Sequence, residues 1–168
     1  MIVMFCLIRR VFGLVFLVLA IESAAQGELR IANNLHSLGH KSDVHNIPIV
    51  LFFSSEHCEY CDLVRNEFLN HLATDPAFMN RLLLREVRMD SIRPLLDFSR
   101  QSITHAAFSE RRTVELVPTI QFTDGMGDIL VEDIVGVTTL GFYGAYLEQA
   151  IEQSLSTLSL RNWSSHDH

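Results

Sequence analysis

The feature that most constrains the fold is a short apolar run followed directly by two closely spaced cysteines. Residues 47–53 are rich in β-branched and aromatic side chains, which is typical of a strand buried on both faces. Cys58 and Cys61 follow, and residues 61–72 then repeat apolar side chains at helical spacing. The sequence therefore predicts a strand that leads into a helix, with the Cys-x-x-Cys pair at the junction.

Local signals around this junction complete a strand–helix–strand unit. Ser54 or Ser55 can cap the helix that carries the cysteines. Residues 75–82 begin with Asp-Pro, a dipeptide typical of a helix start, and predict a second, short helix. Residues 83–89 then alternate as a strand.

The second half of the chain predicts further helices and a hairpin. Residues 91–113 are predicted to be mainly helical. Residues 119–123 and 129–135 predict two antiparallel strands, because the Asp-Gly-Met-Gly-Asp segment between them has turn chemistry. Residues 138–155 predict a last helix. Parallel strands joined by helices, followed by a hairpin and a helix, predict an α/β fold whose central mixed sheet is covered on both faces.

The first 25 residues have the pattern of an export signal. Arg9 and Arg10 precede the apolar residues 11–21, and small residues at 23–25 supply a cleavage site. Residues 1–25 are therefore expected to be a signal peptide, or an uncleaved membrane anchor. The protein is expected to act outside the cytoplasm.

Length and charge define the remaining organisation. A chain of 168 residues suits one globular domain, which is placed at residues 47–155. Residues 26–46 predict an N-terminal helix with a polar loop, and residues 156–168 a flexible polar tail. The formal charge of −7 disfavours nucleic acid as a partner, because an acidic surface repels phosphate backbones.

The cysteine pair predicts redox chemistry. The third cysteine, Cys6, lies in the export segment, so the remaining two form one Cys-x-x-Cys in a compartment where disulfides persist. The start of a helix favours a thiolate at Cys58 more than at Cys61. Cys58 is therefore predicted to attack and Cys61 to resolve. Glu56 ranks before His57 or a water as the group that moves the proton of Cys61.

Three other interpretations of the pair stay open at this point. A disulfide that only stabilises the fold is weakly favoured, since a loop of four residues constrains the unfolded chain by only about 2 kcal/mol. A copper-binding metallochaperone would use both thiolates with His57 as a helper. A non-catalytic interaction module would keep an inert disulfide.

The other histidines give no metal-binding pattern. They are scattered among polar residues, which predicts solvated surface positions. They include His36, His40, His45, His71 and His105. No metal site and no cofactor is predicted.

A proline at the start of a later strand completes a recognisable set. Val117-Pro118-Thr119 opens the strand that precedes the Asp-Gly hairpin, and on its own it is compatible with an ordinary strand-start proline. The export segment, the cysteine junction, this proline and the hairpin, in that order, resemble the thioredoxin superfamily, particularly its exported bacterial members. The resemblance covers residues 47–155. It departs at Phe52, where thioredoxin has a buried aspartate, and at Glu59-Tyr60, where thioredoxin has Gly-Pro.

The resemblance implies a three-layer thioredoxin-like fold and a periplasmic thiol–disulfide oxidoreductase. It implies a cis Pro118 against the cysteine pair, with the backbone of Val117 pairing with substrate. Glu59 and Tyr60, between the cysteines, are also predicted to contact substrate. The expected partners are protein thiols and disulfides and a membrane-linked redox protein. Acidic Glu56 and Glu59 favour a reductase, because they disfavour the thiolate.

Overall fold

The computed structural model describes residues 29–166. The predicted export signal, its cleavage site and its alternative role as an anchor lie outside the described residues. Between residues 29 and 166 no helix is both long enough and apolar enough to cross a membrane.

Helices and strands alternate along the described chain. The helical segments are α1 (Leu35–His45), α2 (Glu59–Val64), a π-helical segment (Arg65–Leu69), α3 (Asn70–Thr74), α4 (Pro76–Met79), α5 (His105–Arg111) and α6 (Leu140–His166). The strands are β1 (Ile49–Ser54), β2 (Leu83–Arg88), β3 (Pro94–Leu96), β4 (Ser102–Thr104), β5 (Thr119–Thr123) and β6 (Ile134–Val135).

Four strands form the central sheet in the order β2-β1-β5-β6. β1 and β2 are parallel, β5 is antiparallel to β1, and β6 is antiparallel to β5. The mixed sheet predicted from the sequence is thus confirmed. Every residue of β1 is buried, as expected for a strand at the centre of a sheet covered on both faces.

Two hydrophobic clusters cover the two faces of this sheet. One cluster contains alternate β1 residues such as Phe52 together with Cys61 and Tyr143, and it is called the disulfide face below. The other contains Phe53 and Phe108, and it is called the opposite face. Consecutive residues of a strand point to opposite faces, so Phe52 packs in one cluster and Phe53 packs in the other.

The N-terminal helix lies later in the chain than its pattern predicts. α1 begins at Leu35 after Asn34, whose side chain accepts the backbone N–H of Ser37, and it includes most of the segment predicted as a loop. Residues before it run instead along the edge strand β2. Ala32 N–H donates to the Glu86 carbonyl at 2.8 Å, and Glu86 N–H donates to the Arg30 carbonyl at 2.9 Å. This pairing satisfies backbone groups at an otherwise exposed edge.

The prediction of a mainly helical segment over residues 91–113 is wrong. β3 and β4 form an antiparallel hairpin there, with Leu95 opposite Ile103, and only α5 is helical. Asp97 tightens the hairpin by accepting the backbone N–H of Gln101 at 2.8 Å. Apolar residues spaced for one helical face are here brought together by strand pairing across a turn.

The helix that carries the cysteines differs from the prediction in its cap and its course. Neither Ser54 nor Ser55 caps it: the N-cap is Cys58 itself. The segment continues as a π-helix and then as α3 to Thr74. The Asp-Pro helix start at 75–76 is confirmed, because Asp75 accepts the backbone N–H of Ala77, although α4 ends at Met79 instead of residue 82.

The C-terminal part of the chain is more helical than predicted. The prediction of a flexible tail from residue 156 is wrong over most of its length, since α6 continues to His166. The second hairpin strand is shorter than the predicted 129–135. It consists of β6 and an isolated bridge between Thr123 and Ile129.

α1 and the β5–β6 connection meet at two glycines. A Cβ on Gly39 would lie 2.1 Å from the Gly125 carbonyl oxygen, and a Cβ on Gly125 would lie 2.6 Å from the Gly39 carbonyl oxygen and 2.0 Å from an Asp43 carboxylate oxygen. All three distances are far below van der Waals contact. The two backbones therefore touch only because neither position carries a side chain.

Candidate functional site: the Cys58–Cys61 disulfide

The cysteine pair lies at the carboxyl end of β1. The strand ends at Ser54, and a turn over residues 55–57 leads to Cys58. His57 has a left-handed backbone with φ 62°, a conformation in which histidine is more common than most residues. This turn reverses the chain so that Cys58 caps α2.

Cys58 and Cys61 form a disulfide with a Cα–Cα distance of 5.1 Å. Cys61 is completely buried in the core of the disulfide face, whereas Cys58 is only partly buried at its edge. The backbone N–H of Cys61 donates to the Cys58 Sγ at 3.1 Å. The Cys58 sulfur is therefore accessible and caps the start of α2, and the Cys61 sulfur is enclosed.

Glu56 and His57 lie in the turn before the pair, and both are exposed. The backbone N–H of Glu56 donates to Asp90 at 2.7 Å, which fixes the turn to the loop after β2. Within residues 29–166, no hydrogen bond joins either side chain to the cysteines. Both residues directly precede Cys58 in the sequence, and their role in proton transfer stays a prediction.

The Val117–Pro118 segment enters the same end of the sheet. Its peptide bond is cis. Thr119 pairs with Phe53 in the β1–β5 register, so Pro118 lies beside the end of β1 from which the cysteine turn departs. Val117 packs against the same core cluster as Cys58. The structure thus gathers the predicted substrate-binding segment and the cysteines at one edge.

The backbone N–H and C=O of Val117 lack hydrogen-bond partners among the described residues, whereas the carbonyl groups of Leu116 and Pro118 have them. The Leu116 carbonyl accepts the Thr119 hydroxyl at 2.8 Å, and the Pro118 carbonyl accepts the Gly136 N–H at 2.7 Å. Within the described residues, neither the N–H nor the C=O of Val117 has a hydrogen-bond partner. An extended chain can therefore pair with this residue.

Exposed apolar side chains accompany the site. Tyr60, between the cysteines, is 63% exposed, and Leu116, beside the open backbone, is 65% exposed. Glu59 is exposed in the first turn of α2. The structure therefore places both intervening residues, Glu59 and Tyr60, on the surface around the disulfide.

A buried carboxylate under the cysteine helix was missed by the sequence reasoning. Glu86 of β2 is 2% exposed and pairs in register with Phe52, on the disulfide face. It accepts the Ser54 hydroxyl at 2.6 Å and the Arg65 guanidinium at 2.8 Å. The only sequence signal was an acidic residue inside a predicted strand. Ser54, Arg65 and Glu86 are called the Glu86 network below.

Arg65 connects this network to the helix of the cysteines. It is four residues after Cys61, on the same helix face, and its guanidinium lies 5.6 Å from the centre of the Phe52 ring. Burial disfavours its charge, but hydrogen bonds and attraction from Glu86 and Asp62 outweigh burial and raise its pKa. Arg65 also begins the π-helical segment, and such widened turns are frequent near functional sites.

No metal centre is visible in the part of the chain that the structure describes. Residues 29–166 contain no group of three or more histidine, cysteine or acidic side chains placed to hold an ion. The prediction that the scattered histidines are all solvated is wrong for His105, which is 1% exposed. Its Nδ1 accepts the Arg88 backbone N–H at 3.1 Å, so it has a structural role.

Comparisons with known proteins identify the fold. No family model and no curated protein matches the sequence. A mutant thioredoxin from Halobacterium salinarum is 19% identical, with 79% of this chain and 96% of that chain covered and a TM-score of 0.50. Thioredoxin O2 from Arabidopsis thaliana is 19% identical, with 78% and 97% covered and a TM-score of 0.49. Thioredoxin from Trypanosoma brucei brucei is 14% identical, with 81% and 99% covered and a TM-score of 0.48.

At these identities the likeness concerns the fold alone, and of these three structures the Halobacterium salinarum thioredoxin, with its TM-score of 0.50, supports it. This chain has the predicted thioredoxin-like α/β fold, with a cysteine pair of Cys-x-x-Cys spacing at the start of a helix.

Proposed function

We propose that this protein is a thiol–disulfide oxidoreductase that acts on disulfides of other proteins. The observation that carries the proposal is the asymmetry of the pair: Cys58 is accessible at a helix start, whereas Cys61 is fully buried beside it. Accessible thiolates attack, and a buried neighbour can act only on the sulfur next to it. A purely stabilising disulfide needs no such asymmetry.

The proposed cycle transfers two electrons from the protein to its substrate. In the reduced protein the Cys58 thiolate attacks one sulfur of a substrate disulfide, which forms a mixed disulfide and releases the first substrate thiolate. The Cys61 thiolate then attacks Cys58 Sγ. The second substrate thiolate leaves and takes up a proton, and the Cys58–Cys61 disulfide is re-formed.

The helix start favours the thiolate at Cys58. The Cys61 N–H that donates to Cys58 Sγ is one of the backbone donors without a partner inside the helix. Glu59 and Asp62, both in the first turn of α2, oppose this effect because they are acidic. A less stabilised thiolate makes the reduced pair less favoured, so we assign the protein to the reductases.

Substrate is proposed to bind as an extended strand along Val117. Its unpaired N–H and C=O supply the backbone hydrogen bonds of strand addition. Pro118 fixes the direction of this segment, and the exposed Tyr60 and Leu116 offer apolar contact on either side. Glu59 is the proposed polar contact.

Proton transfer to and from Cys61 is assigned to Glu56, with His57 as the alternative. The proposed path runs through a water, because both side chains are exposed whereas Cys61 is fully buried. Replacing Glu56 with Gln should therefore slow release of the mixed disulfide and shift its pH dependence. The same replacement at His57 should leave that pH dependence unchanged.

We further propose that the protein works in the periplasm and is re-reduced by a membrane-linked partner. The support is the sequence of residues 1–25, with its basic residues, apolar run and small-residue end. Each cycle leaves the pair oxidised, so a donor of two electrons must restore it. Fractionation of cells that express the full chain, with mass determination of its N-terminus, tests the location.

Trapping of mixed disulfides tests the activity. Cys6 is replaced by Ser in every variant, so that only the pair can react. The Cys61→Ser variant should accumulate covalent complexes with substrate proteins, because the resolving thiol is missing. The Cys58→Ser variant should form none. Complexes that persist without Cys58 would overturn the assignment of the nucleophile, and an absence of complexes in both variants would overturn the enzymatic proposal.

Equilibrium with glutathione tests the direction. A potential near about −270 mV, as in thioredoxin, supports a reductase, whereas one near about −120 mV is typical of a strong oxidant and would reverse the proposed direction. The Glu59→Gln variant should have a less negative reduction potential. It removes an acidic side chain that disfavours the Cys58 thiolate, so the reduced pair becomes more stable. Asp43→Asn, far from the pair in sequence and exposed, is the matched control and should not move it.

A further inference from the structure

A groove along the edge strand β2 carries three positive charges without an acidic side chain in its lining. One cavity of about 520 Å³ is lined by Arg30, Lys41 and Arg85 together with the start of α1. A second cavity of about 310 Å³ shares these three residues and continues over Leu72, Met79 and Leu82. Since both cavities share the same three cations, they form one groove with a cationic part and an apolar part.

The groove is separate from the disulfide. β1 and β2 run parallel, and both lead away from the groove toward the cysteine turn: Leu83 and Ile49 pair at the near end, and Arg88 and Ser54 pair at the far end. Arg85, the residue of β2 that lines both cavities nearest the cysteine turn, lies three residues before Arg88, which corresponds to about 10 Å along the strand. A ligand in the groove therefore does not occupy the proposed substrate site.

The three cations lack counter-ions within the described residues. No acidic side chain lines either cavity. The Arg85 guanidinium donates to the Leu84 carbonyl, a neutral acceptor, at 2.6 Å. Burial lowers the pKa of Arg85, and the neighbouring positive charge of Arg30 lowers it further. In a chain of net charge −7, three adjacent cations without an acid are unusual, and an anion would relieve their repulsion.

We propose that this groove binds a ligand with a phosphate or carboxylate group and an apolar chain. The anionic group lies between Arg30, Lys41 and Arg85, where guanidinium and ammonium donors form charge-assisted hydrogen bonds. The apolar chain lies along Leu72, Met79 and Leu82. Met79 is 58% exposed, so burying it against a ligand adds apolar contact.

Calorimetry on the full-length, disulfide-linked protein separates the two parts of the site. The probes are octyl phosphate, inorganic phosphate and octyl glucoside, each below its micellar concentration. Octyl phosphate should bind at least about tenfold more tightly than inorganic phosphate, because its chain enters the apolar part. Octyl glucoside should not bind. Equal affinities for the two phosphates would overturn the role of the apolar part.

Substitutions of the exposed cations test the charged part. Arg30→Gln and Lys41→Gln should each weaken octyl phosphate binding by about tenfold or more, since each removes a hydrogen bond to a charged group. Arg93→Gln is the matched control, because Arg93 is exposed and lines neither cavity. Unchanged binding in both variants, or equal loss in the control, would overturn the proposal. So would an absence of binding by both phosphates.

Discussion

The two faces of the central sheet each bury a titratable side chain, and they stabilise it in opposite ways. On the disulfide face, Glu86 is paired with the Arg65 guanidinium and the Ser54 hydroxyl. Next to the opposite face, His105 begins the helix that supplies Phe108, and burial lowers its pKa so that it is neutral. The disulfide face keeps the charge of Glu86 by pairing it with Arg65, whereas the opposite face keeps His105 uncharged. The contribution of Glu86 to stability therefore depends on its partner residue, and the contribution of His105 depends on pH.

The largest effect is expected from breaking the pair on the disulfide face. Glu86→Ala leaves Arg65, whose side chain is only 19% exposed, without its buried partner. Breaking a buried ion pair in this way costs about 3 to 5 kcal/mol of unfolding free energy. Urea unfolding of the wild type and the variant measures it.

A double variant checks the cause of that loss. Glu86→Leu combined with Arg65→Met replaces both charges with apolar groups, so it should be more stable than either single variant. If the double variant is as unstable as the sum of the two single variants, pairing is not what stabilises the Glu86 network.

An intermediate effect is expected at His105. His105→Asn keeps an acceptor near the Arg88 N–H and removes the titration, so the loss at about pH 8 should be roughly 1 kcal/mol. Burial lowers the pKa of His105, as do the charges of Arg93 and Arg88, against the opposing influence of the Ala32 backbone and Glu86. The unfolded chain therefore binds more protons below about pH 6.5, and the wild type loses stability there.

The variant should not share this loss. Its difference in unfolding free energy from the wild type should therefore shrink between about pH 8 and pH 5.5. A constant difference over this range would show that His105 titrates alike in the folded and unfolded states.

The smallest effect is expected from the exposed partner of the same arginine. Asp62 pairs with Arg65 but is 65% exposed, so water screens the pair. Asp62→Asn should lower the unfolding free energy by less than about 1 kcal/mol. A loss as large as that of Glu86→Ala would mean that burial does not distinguish the two partners of Arg65.

The elements around the cysteines could be predicted because their signals are local. β1 is a continuous apolar run. Asp75 and Pro76 indicate the start of the short helix that precedes β2, and β2 has an alternating pattern. The hairpin of β3 and β4 gave no such signal. Leu95 and Ile103 meet by pairing across a turn, and their sequence spacing fits a helix as well as it fits two very short strands.

The candidate site also contains some residues with a local sequence signal and others without one. Cys58 and Cys61 are only three positions apart in the sequence, and Val117-Pro118 was found through its resemblance to a known family. The Glu86 network was not found, because its three members come from β1, the π-helical segment and β2. The parallel pairing of β1 with β2 brings Ser54 and Glu86 together, and the π-helical segment adds Arg65. No residue in the network has a local pattern that indicates a buried partner.

The contact between Gly39 and Gly125 restricts how sequences of this type can diverge. Even alanine at either position places a carbon atom against the carbonyl oxygen of the other glycine, and shortening the Asp43 side chain does not relieve this backbone contact. Substitution at one position therefore cannot be compensated by substitution at the other. Relatives that keep α1 against the β5–β6 connection should retain glycine at both positions, and relatives that lose one glycine should carry an altered connection or lack α1.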